Sequence, residues 1–176
     1  MVFAASCVER LQARHHVLND LVALAFTSAG IQSSKEPHGL VRSDGKRPDG
    51  LTLVPWKGGK LLAWDVTAIC TVADSYVAAT AREAGVAAER AAELRISKYS
   101  GLEDKCIFQP IAVESLGPLN ETACQFLKDL GRRISAQSGD ERERERESAF
   151  LFQRLSVVIQ RFNAILLQLN STFIRQ

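Results

Sequence analysis

Two short apolar runs, Leu51-Thr52-Leu53-Val54 and Leu61-Leu62-Ala63-Trp64, are separated by Lys57-Gly58-Gly59-Lys60. A Gly-Gly pair supplies the positive φ angles of a tight turn, so the runs read as the two strands of a β-hairpin. No other feature constrains the fold as much, because hairpin pairing dictates which residues face one another. Asp49 stands where the first strand begins, and Asp65 stands where the second strand ends. In an antiparallel pair such positions are neighbours across the ladder. Two adjacent carboxylates repel unless a cation lies between them, and a hard divalent ion such as Mg²⁺ suits an all-oxygen donor set.

Around the hairpin the pattern alternates between helix and strand. Val8, Leu11, His15, Leu18, Leu21, Val22, Ala25 and Phe26 recur at helical spacing, predicting a helix over residues 7–29 with Gly30 as its C-cap. Residues 31–45 are polar and turn-rich, with a short strand expected at Gly39-Leu40-Val41. The second hairpin strand, over 60–69, is almost continuously apolar, as in a strand covered on both faces. An Ala-rich helix is expected over 74–98, with few bulky residues and hence close packing on a sheet. A strand follows over 107–113, where Pro110 implies an edge position or a bulge. Asn120 caps a helix to about residue 136, and a last helix over 147–169 has a strong apolar face. The Glu-Arg alternation at 141–147 reads as a solvated helix start or an inserted loop. This order predicts an α/β fold: a three- or four-stranded mixed sheet flanked by helices over residues 1–140, and a helical C-terminal extension over 141–176 packing on the same domain.

At 176 residues with 46% apolar and 24% charged side chains, the composition is that of a globular protein. The net charge of +2 does not by itself imply a polyanionic partner. Its distribution is uneven, since Lys35, Arg42, Lys46, Arg47, Lys57 and Lys60 crowd the hairpin. Cys7, Cys70, Cys106 and Cys124 lack zinc-ligand spacing and read as reduced thiols. The expected location is intracellular, with no secretory leader and no apolar run approaching the length needed to span a bilayer.

The residues around the two acids resemble the PD-(D/E)xK superfamily, the restriction-endonuclease-like fold. Pro48-Asp49 and Asp65 match that pattern, while Thr67 stands in the Lys position. Residues 14–163 look like the restriction-like endonuclease region of non-LTR retrotransposon polyproteins, downstream of the reverse transcriptase. The resemblance rests on Arg14-His15-His16, Gly45-Lys46-Arg47-Pro48-Asp49-Gly50, Trp64-Asp65-Val66-Thr67 and Lys98-Tyr99. His16 stands where that family tends to have Asn.

The resemblance implies a Mg²⁺-dependent endonuclease that nicks target DNA to prime reverse transcription. Asp49 and Asp65 would hold the ion, and Lys98, from the following helix, would replace the missing lysine. It further implies nucleic-acid contacts by Arg14, His15, Lys46, Arg47, Lys57, Lys60 and Tyr99. The partners would be DNA and element RNA or a reverse transcriptase supplied in trans, with no membrane, and the location would be nuclear if the domain is active. Plainer roles stand beside these. Asp49 is also a turn residue after Pro48, and Asp65 a strand end bonded to Thr67. Lys98 also suits a helix C-terminus electrostatically. Glu114 reads as a surface carboxylate at a strand end, Glu36 as a support for the metal site, Trp64 as core, and Trp56 as a packing or base-stacking ring. Two alternative functions are a catalytically decayed nucleic-acid-binding fragment and a structural or protein-interaction domain.

Overall fold

The computed structural model describes residues 2–40, 45–102, 104–139 and 144–174. The chain builds α1 (Val2–Ser28), β1 (Ser33–Lys35), β2 (Gly50–Thr52), β3 (Leu61–Ile69), α2 (Val77–Thr80), α3 (Val86–Tyr99), β4 (Cys106–Glu114), α4 (Glu121–Ser138) and α5 (Arg144–Ile174). The four strands form one mixed sheet in the order β1-β2-β3-β4. β1 and β3 each pair antiparallel to β2, whereas β3 and β4 run parallel from Leu61↔Cys106 to Ile69↔Glu114. The parallel pair is joined by a crossover through α2 and α3, as parallel strands require.

Both faces of the sheet are covered. Leu62, Trp64 and Val66 point into the main core with Leu18, Val22 and Phe26 of α1, Phe126 and Leu130 of α4, and Leu155 and Ile159 of α5. The alternate residues of β3 face α3. Ile69 packs with Ala87, Ala88, Ala91 and Ala92, and Ala63 packs with Tyr99. Alanines on α3 let the helix lie close to the strands, as their spacing implies. Gly50 has a specific reason to be glycine, because a Cβ there would sit 2.0 Å from the Trp64 ring. α1 ends as expected, with Gly30 at φ 69° and Ile31 N–H returning to the Phe26 carbonyl.

Several expectations are corrected. The single helix over 74–98 is two pieces, α2 and α3, separated at Gly85, which adopts φ 89° as the N-cap of α3. Alanine propensity overlooked the break, which is fixed from outside by Glu114. That residue is no surface carboxylate: it is buried and accepts the Ala87 and Ala88 N–H groups at 2.9 and 3.2 Å. His38–Leu40 is a turn of 3-10 helix rather than a strand, and Val41 lies outside the described residues. The strand of that region is β1, whose Ser-Ser-Lys sequence has no apolar alternation to announce it. β4 is an edge strand, as Pro110 implies, and extends one residue further at each end. α5 begins at Arg144, and residues 141–143 of the Glu-Arg stretch lie outside the described residues.

By length and composition, residues Arg146–Gln168 of α5 are long and apolar enough to cross a membrane. No apolar stretch approaching that length was expected from the sequence, where Arg154 and Arg161 interrupt the run. Leu151, Leu155 and Ile159 on one side of it are buried in the core.

Candidate functional site

The ladder register sets the site. Gly50 pairs with Trp64, and Asp49 N–H donates to the Trp64 carbonyl at 2.9 Å, which brings Asp49 alongside Asp65 at the end of β2. Odd-numbered residues of β3 face α3, so Asp65 points toward the last two turns of that helix. Its side chain is 5% exposed. Arg95 Nε lies 3.3 Å from Asp65 Oδ1, and Tyr99 Oη lies 3.0 Å from Asp65 Oδ2. Lys98 Nζ donates to Tyr99 Oη at 2.8 Å, and the hydroxyl also lies 2.8 Å from the Arg47 carbonyl. Arg95, Lys98 and Tyr99 share one helix face because they are three and four residues apart.

Asp49 is held from the other side. Its Oδ2 accepts Val66 N–H at 2.6 Å, and its Oδ1 lies 3.1 Å from His15 Nε2 on α1. Asn19, buried one turn further along α1, accepts Trp64 Nε1–H at 2.8 Å and donates to the Asp49 carbonyl at 3.4 Å. α1 therefore fixes both the backbone and the side chain of Asp49. Around these groups lies a surface opening lined by His15, Glu36, Lys46, Arg47, Asp49, Asp65, Arg95, Lys98 and Tyr99. Four Lys and Arg side chains face three carboxylates there.

The electrostatics follow from burial and pairing. Burial is the largest influence pushing the Asp65 carboxyl above the usual carboxylate range, and Asp49 adds to it. Arg95, Tyr99 and Lys98 act against that rise. The hydrogen bond to Asp49 raises His15 above its ordinary value of 6.5, although burial opposes it. Burial and the neighbouring Asp65 raise the Tyr99 phenol, so it stays a neutral donor.

The expected site residues divide into three groups. Asp49, Asp65, Lys98, Tyr99, His15, Lys46 and Arg47 converge on the one opening. Lys57 and Lys60 do not, because they form the hairpin turn at the opposite end of β3. Five residues at a strand rise of about 3.3 Å put Lys60 about 16 Å from Asp65. Arg14 is turned inward: it is 5% exposed and donates to the Ala68 carbonyl at 3.3 Å. Glu36 pairs with Arg47 at the rim. Trp56 is a packing residue, with Phe26 and Phe126 against its ring and the Arg133 guanidinium 3.8 Å from its centroid. Trp64 is fully buried.

Sequence reasoning missed Arg95 and Asn19. The helical spacing from Lys98 and Tyr99 pointed to Arg95, but nothing local marks Asn19, whose role depends on the tertiary approach of α1 to β3. Asp49 and Asp65 are the residues that could hold a hard cation. Among the described residues no group of three or more His, Cys, Asp and Glu side chains has the arrangement of a closed metal cage. Two carboxylates lining a surface opening nevertheless suit Mg²⁺, which commonly takes one or two carboxylates and completes its shell with water and substrate phosphate. Cys70, Cys106 and Cys124 are free thiols, and none of the three lines the opening. No protein-family model and no curated protein matches this chain.

Proposed function

We propose that this domain is a Mg²⁺-dependent DNA endonuclease of restriction-like type, of the kind that non-LTR retrotransposons use to nick a target and prime reverse transcription. One observation carries the reading: the hairpin register sets Asp49 beside the nearly buried Asp65 in an opening ringed by Lys46, Arg47, Arg95 and Lys98. Paired carboxylates alone suit many cation sites. Paired carboxylates inside a cationic rim suit a phosphodiester. In this reading DNA is the partner, with element RNA or a reverse transcriptase acting in trans, and the work is done in the nucleus.

Asp49 and Asp65 would hold Mg²⁺, which when bound supplies Lewis-acid activation of water and charge stabilisation at the phosphorus. The chain's own groups do the rest. Lys46 and Arg47 bind the backbone phosphates and orient the strand across the opening. Tyr99 keeps its proton and holds Asp65 in position. Lys98, through its contact with Tyr99, stands beside the acids and meets the charge that develops on the phosphate oxygens. His15 and Asn19 fix Asp49 against the repulsion of its neighbour.

The test is nicking of supercoiled plasmid with and without Mg²⁺. Asp49→Asn and Asp65→Asn should each lower nicking by about a thousandfold or more, a loss of roughly 4 kcal/mol of transition-state stabilisation. Lys98→Ala should slow nicking by about a hundredfold while weakening DNA binding far less. Undiminished nicking in either Asn variant would refute the assignment. A second reading is favoured by the Arg95–Asp65 pair, which already neutralises the buried acid: a domain that binds nucleic acid without cutting it. Salt-sensitive DNA binding with no Mg²⁺-dependent nicking in the wild type would establish that alternative.

A further inference from the structure

Arg95 sits where the carboxylate pair most needs a positive charge. Its Nε is 3.3 Å from Asp65 Oδ1, and with Tyr99 on Oδ2 both oxygens of this buried acid are engaged. The guanidinium is not locked there. Its side chain is 31% exposed, and it also borders a second, mostly apolar cleft formed with Thr67, Ile69, Tyr76, Ala91 and Leu94. A rotamer change that keeps α3 fixed would carry it from the acid toward the rim. We propose that Arg95 is the resident counter-cation of Asp65, released to a nucleic-acid phosphate when DNA arrives, so that divalent-ion binding is coupled to DNA binding.

The inference rests on the carboxylate-pair reading above and adds a substrate requirement to it. A divalent ion held by Asp49 and Asp65 would lie close to the Arg95 guanidinium, which is 3.3 Å from Asp65 Oδ1, and the like charges repel. A phosphate offers the guanidinium a planar, two-oxygen partner of the kind it pairs with best. Moving Arg95 onto that phosphate uncovers Asp65 for the ion. Because the coupling is a free energy shared between two binding events, DNA must tighten the ion by the same factor as the ion tightens DNA. Such a device keeps the acids neutralised, and the chemistry idle, until a strand lies across the opening.

Calorimetric titration of the full chain with Ca²⁺, which takes the same oxygen donors, tests this with and without a short DNA duplex. Arg95→Ala removes the cation, and Arg95→Gln removes the charge while keeping a hydrogen-bond donor. Both variants should bind Ca²⁺ about five- to tenfold more tightly than wild type in the absence of DNA, and the gain on adding DNA should shrink by the same factor. Unchanged DNA-free affinity in both variants, with Asp49→Asn still abolishing binding, would overturn the role of Arg95 and leave the carboxylate pair intact. Failure of the wild type to bind Ca²⁺ with or without DNA would overturn the pair itself, and this inference with it.

Discussion

At the scale of single residues, the site depends on a few atoms with no room to move. Gly50 lies under the Trp64 ring, and Trp64 in turn bonds to Asn19. Gly50→Ala should therefore displace the strand that carries Asp49, lowering stability by about 1–3 kcal/mol in urea denaturation. His15 gives a pH-dependent prediction. Its folded-state pKa is raised by Asp49, so its contribution is complete below the unfolded value of 6.5 and is lost as pH rises through the higher folded value. His15→Gln should cost about 0.5 kcal/mol near pH 6, a small figure because solvent reaches a pair whose side chains are 36% and 15% exposed, and less near pH 9. Thermal melts at the two pH values read the difference. Asp65 acts in the opposite sense to an ordinary salt-bridged acid. With its pKa raised, ionising it above that value lowers stability, and stability is regained as pH falls toward 3.8.

At the scale of elements, α3 delivers Arg95, Lys98 and Tyr99, and its start is set by Glu114 from the end of β4. Glu114→Ala should cost about 2–3 kcal/mol, because two buried N–H groups lose their acceptor. It should also slow nicking, since the far end of the same helix bears the cations. Guanidinium denaturation and plasmid nicking on one preparation test both effects. This helix also shows where the sequence was and was not legible. The hairpin and the order of helices and strands were readable because Gly-Gly and alternating periods act locally, and Pro110 narrowed β4 to an edge position or a bulge. The break at Gly85 was not, since it is imposed by a residue of β4 that only the folded sheet brings near. Asp49 and Asp65 were legible through register. Arg14 was misplaced because helical periodicity cannot say whether a long cationic side chain lies along the inside of a helix or outside it.

At the scale of the whole molecule, the charge that looked like one basic patch is two. Lys46 and Arg47 line the opening, whereas Lys57 and Lys60 stand at the other end of the hairpin. Neutralising Lys46 and Arg47 should flatten the salt dependence of DNA binding by about 0.9 per lost phosphate contact and slow nicking as well. Neutralising Lys57 and Lys60 should leave nicking at saturating DNA unchanged. Fluorescence anisotropy over a salt series, with nicking at saturation, separates the pairs. The mixed sheet has one more consequence, which concerns time rather than place. The two acids belong to a hairpin, a unit that forms in about 1–10 μs, while Arg95 and Lys98, the cations nearest Asp65, lie on the longer α2–α3 crossover, whose closure onto β4 spans a larger loop. Part of the positive charge that offsets the buried Asp65 thus comes from the part of the chain with the larger loop to close. The slow crossover that completes the sheet is also what turns an unfavourable pair of charges into a stable pocket.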